Sequence, residues 1–512
     1  MPTSNTPIDI NQSIHPFVMV IFGATGDLTA RKLMPALYNL LANGILPDNF
    51  LVVGFARRSL SHDQFRSMMK EAVVKYSKDQ NINYRILLKL TNNLYYQQGF
   101  FEEITPYKEV VKHLLAFDKD RGACITRFFY LAAPPVNYPS ILKNLLQSKL
   151  SEGCGQGSGR WTRVLIEKPF GKDMETAKKL EEQLSNTFTE KQIYRIDHYL
   201  AKEIVQNILA FRFANSIFEN IWNKDHIDNI QISLMEAGGV GERGAFYEGV
   251  GVLKDVVQNH LMAMLAFTAM EQPKKLDVES IRTERVKVLQ KIRRLTPGEI
   301  KANVVRGQYS SGALNGHKIH AYREEKNVDS ASQTETFAAL KLFIDNPRWQ
   351  GIPIYLRTGK RMAKSVARIS VQFKKVHNAL FQNLPPDVER SHHDVLTFRI
   401  HPRPGISLQM LAKEPGLGFS LKNVKMDFSY ENVFGMQTFD SYERLLLDSM
   451  IGDQTLFATN AGFNATWSLV TDILNVWGKE STPKFPNYKP GSWGPHEADL
   501  LIKKDGRYWL LH

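Results

Sequence analysis

The sequence predicts a doubly wound α/β domain followed by an α+β domain with a large, mainly antiparallel sheet. Three observations support this. A chain of 512 residues with 43% hydrophobic residues exceeds what one core usually organises. Its first part alternates strand-like and helix-like segments, which is typical of a parallel sheet, whereas later strand-like runs lack regular intervening helices. We therefore predict one domain over residues 1–198 and another over residues 199–512.

The first element pair is the segment PFVMVIFGATGDLTARKLMPALYNL. An apolar run precedes a glycine turn, and the leucines that follow have the spacing of one helix face: Leu33, Leu37, Leu40 and Leu41. Further strand-like runs are FLVVGFARRS, RFFYLAAPP and RVLIEKPFG, with a helix predicted at YPSILKNLLQSKL and a flexible loop, GCGQGSG, at 153–159. This alternation indicates a Rossmann-type dinucleotide-binding domain.

The glycine turn is a candidate cofactor site. Gly23 and Gly26 stand between strand and helix, where backbone N–H groups approach a pyrophosphate. The pattern is GxxG and not the full GxGxxG fingerprint, so a tight turn without a ligand is the alternative. Arg57 ends the second strand, where arginine suits a 2′-phosphate and hence NADP, or is simply a surface residue. Lys32 and Lys168 are expected at the same crevice.

The second half opens with two helix-like segments, at about 200–214 and 249–270, before its strands. The strand-like runs are HIDNIQISLME, IPIYLRT, ARISVQF, VLTFRI and GISLQML.

The cluster RIDHYLAKE lies at the predicted domain boundary. If a helix begins at residue 195, His198 and Lys202 share one face, and imidazole with ammonium can hold a phosphate dianion. A solvated helix face is the alternative, and Asp197 would be an acid at the helix N-terminus.

The segment GVGVLKDVVQNHLMAMLAFTAM is apolar almost all round, so this helix should be buried. With a 3.6-residue period, Asp255, Gln258 and Asn259 fall within about 100° of arc, and His260 lies about another 100° beyond Asn259. A histidine there is a core residue, or a general base if a carboxylate orients it near a nicotinamide.

Composition narrows the class of protein. Two cysteines do not resemble a disulfide framework, and the N-terminus lacks the pattern of a signal peptide. No apolar run is long enough to cross a bilayer. We expect a cytoplasmic protein with no membrane partner. The net charge of +13 is compatible with nucleic acid, an acidic membrane surface or phosphorylated small molecules, or with a solvated basic surface alone. The basic residues are spread over the chain and show no nucleic-acid motif.

Taken together, seven segments resemble the glucose-6-phosphate dehydrogenase family. They are GATGDLTARKLMPALYNL, GFARRSL, EKPFG, RIDHYLAKEIVQNILAFRFAN, DVVQNHL, GIPIYLRTGKRM and YERLLLDSMIGDQTLF. They follow the family's order across nearly the whole chain, and RIDHYL followed by QNHL is a specific combination.

The resemblance implies oxidation of β-D-glucose 6-phosphate at C1 to 6-phosphogluconolactone, with hydride transfer to NADP. It implies a base, His260, oriented by Asp197. It also implies a homodimer or homotetramer, with a dimer formed by the outer face of the second domain's sheet. The implied cofactor residues are Gly23, Ala24, Thr25, Gly26, Asp27, Leu28, Lys32, Arg57 and Lys168. The implied substrate residues are Lys168, His198, Tyr199, Lys202, Glu236, Asp255 and Lys360.

Several positions depart from the family pattern. Ala201 replaces a common glycine, Lys254 stands where arginine usually precedes the aspartate, and His401 occupies a place where glutamine is frequent. ERGAFYEG differs from the frequent GRGGYFD, and Lys364 and Ser365 stand near a position where the family often has a second basic residue.

Two other functions compete with this interpretation. One is a related two-domain sugar oxidoreductase, since EKP after a strand of this fold also occurs there; RIDHYL with QNHL argues against it. The other is a catalytically silent NADP-binding regulator or nucleic-acid binder, suggested by the charge. His260 and Asp197 are both present, which argues against a silent regulator.

Overall fold

The chain divides into two units in the computed structural model, which describes residues 14–78, 81–122, 124–153, 162–171, 173–314, 316–375, 393–435 and 439–510. The first unit contains the chain up to Ala201 together with Phe439–Ala458. The second contains Lys202–Thr438 and Thr459–His512. The predicted domain boundary at residues 198 and 199 remains a prediction, and no sequence pattern had indicated the return of Phe439–Ala458.

The first unit is built on a six-stranded, wholly parallel sheet with strand order β3-β2-β1-β4-β5-β6. Its strands are β1 Phe17–Phe22, β2 Phe50–Ala56, β3 Leu94–Gln98, β4 Thr126–Leu131, β5 Thr162–Ile166 and β6 Ile193–Arg195. Every residue of β1 is buried, as a central strand covered on both faces requires. The order reverses between β2 and β4 at β1, which is the switch point where this fold binds dinucleotides.

Helices follow most strands of this sheet. A π-helical turn, Thr29–Leu33, leads into Met34–Ala42, and the predicted leucines of this segment are buried. The other helices are His62–Tyr76, Tyr84–Asn92, Ile104–Asp120, Tyr138–Gln147, Met174–Thr187 and the returning Ser441–Ile451. The side-chain amide of Asn39 donates to Glu443 at 2.7 Å, so the returning helix is fixed to the first.

The second unit is built on an eight-stranded sheet with strand order β16-β15-β14-β13-β7-β12-β11-β8. Only β7 and β12 pair in parallel; the other neighbours are antiparallel. The strands are β7 Ile227–Met235, β8 Val304–Gly307, β11 Phe337–Leu342, β12 Ile354–Gly359, β13 Val366–Phe373, β14 Val395–His401, β15 Gly405–Lys413 and β16 Leu421–Ser429. A small hairpin adds β9 Gly312–Leu314 and β10 His317–Ile319.

The helices of the second unit lie before, between and after these strands. They are Glu203–Phe213, Ser216–Glu219, Gly244–Glu248, the π-helix Leu253–Leu261 with Met262–Ala269, Val278–Gln290, Pro297–Asn303, Tyr430–Phe434, Asn460–Trp477 and His496–Lys503. Short 3₁₀ turns occur in the first unit at Pro135–Asn137, Leu150–Glu152 and Glu190–Gln192, and in the second unit at Gly241–Arg243 and Tyr322–Glu324.

The predicted fold class is confirmed: a parallel α/β unit precedes a mostly antiparallel α+β unit. The five strand-like runs predicted in the second half all form strands, namely β7 and β12 to β15. Most of the predicted loop at 153–159 lies outside the described residues. Among the described helices, none combines the length and the hydrophobicity that a membrane crossing needs.

A partly buried ion pair attaches the C-terminal segment to the start of β7. The Arg507 guanidinium donates twice to the Asp228 carboxylate, with both distances 2.7 Å. Burial favours the neutral acid, but the hydrogen bonds from Arg507 and Asn229 outweigh it, and the pKa of Asp228 lies below its ordinary value. The pair therefore contributes stability wherever Asp228 is ionised.

We predict that Asp228→Asn lowers the free energy of unfolding at neutral pH by about 1.5–3 kcal/mol, the contribution of hydrogen bonds to a charged group. Because the folded-state pKa is depressed, the contribution is complete above the unfolded value of about 3.9 and is lost as pH falls through the folded value. Urea unfolding at pH 7 and in acid measures this difference. Asp225→Asn, a nearby exposed position, is the control. A deficit that persists undiminished in strong acid would contradict the assignment.

Candidate active site

The glycine loop after β1 is fixed to the end of β2 by its backbone. The N–H groups of Gly23 and Ala24 both donate to the Phe55 carbonyl, at 2.9 and 3.3 Å. The Gly26 N–H donates to the Gly23 carbonyl at 2.9 Å, and the Thr29 hydroxyl donates to the same oxygen at 3.3 Å. The loop thus closes over the carboxyl edge of the sheet, where this fold binds a pyrophosphate.

Gly23 cannot be replaced without strain. Its φ of +91° favours glycine, and a Cβ there would lie 2.6 Å from the carbonyl oxygen of Ala132, which follows β4. Gly26 is less constrained, since a Cβ would meet only the Gly23 carbonyl at 3.0 Å. The backbone therefore approaches its neighbours closely, as a cradle for phosphate requires.

The remaining residues predicted in GATGDL have different environments. Ala24 is fully buried and packs inward. Thr25 and Leu28 are half-buried, whereas Asp27 is exposed and forms an ion pair with Arg31 at 2.6 Å. An exposed pair of this kind contributes little to stability. These three residues therefore occupy the edge of the loop and the first turn after it.

Arg57 directly follows β2 and is exposed at the carboxyl edge of the sheet. The backbone on either side of it is held by the Tyr96 hydroxyl, which donates to the carbonyls of Ala56 at 3.1 Å and Arg58 at 2.5 Å. The guanidinium is thus presented from a fixed backbone at the position where the sequence predicts a 2′-phosphate contact.

Lys32 is also near this edge, next to a residue that the sequence analysis missed. Its ammonium lies 3.7 Å from the Asp440 carboxylate, and the ammonium of Lys78 lies 3.5 Å from the same oxygen. Asp440 caps the returning helix by accepting from the Tyr442 N–H at 3.0 Å. Residues 32 and 440 are far apart in the sequence, and no spacing rule predicts their contact.

The segment after β5 contains a second missed residue, Glu167. Its carboxylate accepts a hydrogen bond from the Tyr130 hydroxyl at 2.6 Å, and its carbonyl accepts one from the Tyr138 hydroxyl at 3.0 Å. Burial raises the pKa of Glu167, although the Tyr130 hydroxyl and the charge of Lys168 act in the opposite direction. These bonds fix the backbone immediately before Lys168. An acid directly after an apolar strand was the available signal.

The structure corrects the predicted helix in RIDHYLAKE. The helix begins at Glu203 and not at residue 195, and Lys202 precedes it with extended backbone angles. His198 and Lys202 therefore do not share a helix face, and Asp197 is not an acid of the first helical turn. The physical reason is a local turn: the buried Asp197 carboxylate accepts from the Tyr199 N–H at 3.0 Å, which competes with helix formation.

Within this turn, the His198 and Tyr199 rings are neighbours, with centroids 4.7 Å apart. Arg195 has a structural role. It is fully buried, and its guanidinium donates to Glu181 and Glu190 in the same unit.

The second unit brings together three predicted substrate residues. The Lys360 ammonium lies 2.5 Å from the Glu236 carboxylate and 3.7 Å from the Asp255 carboxylate. Glu236 and Lys360 directly follow the parallel strands β7 and β12, and the Glu236 N–H donates to the Gly359 carbonyl at 2.9 Å. The Lys360 side chain is 3% exposed, against 37% for Glu236. One buried cation thus holds two carboxylates whose remaining oxygens can accept hydrogen bonds from hydroxyl groups.

The helix that carries Asp255 and His260 is π-helical over Leu253–Leu261. The angular positions around the helix that a 3.6-residue period predicted for Asp255, Gln258, Asn259 and His260 are therefore wrong. A π-helix joins residues five apart, so Asp255 and His260 lie about one turn apart on the same side. His260 is 2% exposed, and the Gln258 amide donates to the Thr466 hydroxyl at 3.1 Å. The helix is buried, as predicted.

The structure shows the surroundings of three positions that depart from the family pattern. His401 ends β14 and is exposed, and its pKa lies below the ordinary value because of partial burial and the charge of Lys202. The Ser365 hydroxyl accepts from the Ala237 N–H at 3.0 Å, so this residue supports the backbone next to Glu236. Lys364 is exposed.

Comparisons with known proteins agree with this architecture. The description "Glucose-6-phosphate dehydrogenase, NAD binding domain" matches residues 20–207, and "Glucose-6-phosphate dehydrogenase, C-terminal domain" matches residues 209–510. A glucose-6-phosphate 1-dehydrogenase of Chlamydia pneumoniae is 45% identical over 96% of both chains. One of Borreliella burgdorferi is 41% identical over 97% of this chain and 99% of its own.

A solved structure described as glucose-6-phosphate dehydrogenase in complex with its substrate glucose-6-phosphate superposes with a TM-score of 0.87. It is 31% identical and covers 97% of this chain and 99% of its own. A glucose-6-phosphate 1-dehydrogenase from Mycobacterium avium has a TM-score of 0.80 and 32% identity, and covers 97% of this chain and 99% of its own.

The parallel sheet with its glycine loop, followed by a mixed sheet with a lysine–carboxylate cluster, defines a nicotinamide-dinucleotide-dependent oxidoreductase. The chain belongs to the glucose-6-phosphate dehydrogenase family.

We predict that Gly23→Ala weakens dinucleotide binding and lowers the thermal stability of the first unit, because the new methyl group meets the Ala132 carbonyl. Gly44→Ala is the matched control: Gly44 also has a positive φ, of 69°, but open space surrounds it. Fluorescence titration with the cofactor and thermal melts compare the two. Equal effects of both substitutions would show that backbone strain, and not the close approach, is responsible.

Proposed function

We propose that this protein is a glucose-6-phosphate 1-dehydrogenase that oxidises β-D-glucose 6-phosphate at C1 to 6-phosphogluconolactone. The observation that carries the proposal is the arrangement in the second unit. There a buried imidazole, His260, lies on the same side of a π-helix as Asp255, whose carboxylate shares Lys360 with Glu236. A base beside several carboxylate oxygens, which accept hydrogen bonds from hydroxyl groups, suits the deprotonation of a sugar hydroxyl.

We assign the proton transfer to His260 and propose Asp197 as its orienting carboxylate, as in the family. His260 removes the proton of the C1 hydroxyl while the hydrogen on C1 leaves with its electron pair as hydride, so that the hydroxyl becomes the lactone carbonyl. The nicotinamide cofactor supplies the hydride acceptor when it is bound. Burial of His260 excludes bulk water, which keeps the imidazole available for the substrate proton.

In the proposed site, one set of side chains binds the phosphate and another binds the sugar hydroxyls. We propose that His198, Tyr199 and Lys202 bind the phosphate, since charge-assisted hydrogen bonds are strong. Glu236 and Asp255 would accept hydrogen bonds from the sugar hydroxyls. Lys360 would hold these two carboxylates in place as well as contacting the sugar phosphate. Lys168, fixed by the bonds to Glu167, would face both sugar and nicotinamide.

We propose NADP as the cofactor. The close approach of the backbone at Gly23 suits a pyrophosphate, and the exposed Arg57 after β2 suits a 2′-phosphate. The other cofactor residues would be Ala24, Thr25, Gly26, Asp27, Leu28, Lys32 and Lys168, as the resemblance implies.

We further propose a cytoplasmic homodimer or homotetramer formed through the outer part of the large sheet. Strand β16 exposes Val424 at 38% and Met426 at 53%, and the helix after it exposes Phe434 at 60%. Apolar side chains grouped in this way favour an interface between proteins.

The experiment that tests the function measures NADPH absorbance with the purified protein. NADP or NAD is combined with glucose 6-phosphate or with glucose. We expect rapid reduction of NADP with the phosphorylated sugar alone, because glucose lacks the phosphate that supplies binding energy for positioning. Activity with both sugars would contradict the phosphate site. Silence with every pair, from folded protein, would favour a regulator or another sugar substrate, and a salt-steep affinity for RNA would favour a nucleic-acid binder.

We predict that His260→Asn reduces turnover by at least about 10²- to 10⁴-fold, the contribution of general-base catalysis, while NADP affinity stays nearly unchanged. Stopped-flow absorbance gives the turnover, and fluorescence titration gives the affinity. His317→Asn, at an exposed position of the second unit, is the control. Retained turnover in His260→Asn would overturn the assignment of the base.

A further inference from the structure

Glu335 holds the start of the π-helix that carries Asp255 and His260. Its carboxylate accepts a hydrogen bond from the Leu253 N–H at 2.9 Å. Its backbone carbonyl accepts one from the Val252 N–H at 3.0 Å. Leu253 and Val252 are two and three positions before Asp255. Because the first N–H groups of a helix lack partners within the helix, Glu335 supplies acceptors where they are needed.

The chain passes unusually close to this carboxylate at Gly251. A Cβ on Gly251 would lie 2.3 Å from the Glu335 carboxylate oxygen, and the φ of Gly251 is +68°. The entry of the helix is therefore shaped around the Glu335 side chain. The glycine allows the backbone to reach the position from which the Leu253 N–H donates.

The neighbouring residue connects the same point to the lysine–carboxylate cluster. Thr336 precedes β11, and its carbonyl accepts from the Lys360 N–H at 2.9 Å. The dipeptide Glu335–Thr336 therefore contacts two pieces of chain, one leading into Asp255 and His260 and the other carrying Lys360. A shift at this dipeptide would change the distances among all three side chains.

Glu335 is 7% exposed, so its polar atoms are costly to leave without partners. Burial raises the pKa of Glu335, and the Leu253 N–H and the charges of Lys254 and Arg306 oppose the rise. Arg306 is itself bonded to the carbonyls of Glu480 and Thr482, at 3.1 and 2.8 Å. A dedicated buried acceptor at a helix start is a strong constraint on where that helix begins.

We propose that Glu335 is a positioning residue, which sets the start of the π-helix and thereby places Asp255 and His260 relative to Lys360. Nothing in the family resemblance assigned a role to it. As a statement about catalysis, the proposal rests on the proposed function.

The test compares Glu335→Ala with Glu335→Gln, in which an amide oxygen can still accept from the Leu253 N–H. We expect Glu335→Ala to lower kcat/KM for glucose 6-phosphate by about 10²-fold, the effect of a misplacement near 1 Å. Both kcat and the KM for the sugar should change. NADP affinity should not change, because the proposed NADP residues belong to the other unit. Glu335→Gln should stay within about threefold of the wild type, since a neutral hydrogen bond remains.

The matched control is Asp277→Ala. Asp277 caps the helix Val278–Gln290 of the same unit by accepting from the Ser280 N–H at 2.8 Å, and that helix carries no proposed site residue. Its removal should lower the melting temperature and leave kcat and both KM values unchanged. If Glu335→Ala does not fold, Glu335→Asp replaces it, because the shorter side chain withdraws the carboxylate from Leu253 and should give the same kinetic losses.

Normal kinetics in the folded variant, or equal losses of sugar and NADP affinity, would overturn the proposal. Hydrogen–deuterium exchange over residues 251–261 provides a readout that does not depend on activity. We expect faster exchange there in Glu335→Ala than in Asp277→Ala, whether or not the wild type reduces NADP or NAD. A wild type that reduces neither cofactor would contradict the proposed function but not the role of Glu335. Unchanged exchange would overturn the role of Glu335 itself.

Discussion

The buried charge of Lys360 is the constraint on which the lysine–carboxylate cluster of the second unit depends. A lysine side chain that is 3% exposed needs a nearby countercharge, because an unpaired buried charge costs several kcal/mol. Glu236 supplies it from the end of the neighbouring parallel strand, and Asp255 approaches from the π-helix. The Tyr488 hydroxyl donates to the Lys360 carbonyl at 2.9 Å and fixes the backbone as well. Sheet, helix and C-terminal segment thus converge on one residue.

In the first unit, hydrogen bonds and not a buried ion pair fix the segments that carry the candidate cofactor residues. Its parallel strands end at one edge, and the segments that follow β1, β2 and β5 are each held there by named contacts. The Phe55 carbonyl holds the glycine loop, the Tyr96 hydroxyl holds the chain around Arg57, and the Tyr130 hydroxyl holds Glu167 beside Lys168. The groups proposed to bind the cofactor are therefore presented from backbone that is already held in place, an arrangement that reduces the entropic cost of binding.

Sequence patterns predicted most of the fold because they report local periodicity. The run from Phe17 to Ala42 and the strands β12 to β15 were recognisable from alternation and apolar spacing alone. Contacts between distant residues carry no such signal. The pairs Lys32–Asp440 and Glu236–Lys360 are 408 and 124 residues apart along the chain. The helix start at Glu203 was also missed, because the hydrogen bond from the Tyr199 N–H to Asp197 replaces the helical pattern expected there.

The π-helix is the feature that periodicity could least have revealed. A segment that is apolar on all sides gives the same pattern for α- and π-helical winding, so the side chains do not report the number of residues in each turn. In an α-helix, five residues correspond to about 140° beyond a full turn, which would point Asp255 and His260 in different directions. The π-helical hydrogen bonds bring them to one side. The first N–H groups of a helix need acceptors from outside it, and Glu335 supplies one to Leu253 at the point where Gly251 passes close to its carboxylate. Backbone geometry, more than the choice of side chains, therefore brings the proposed base into register with the carboxylate that would hold the sugar.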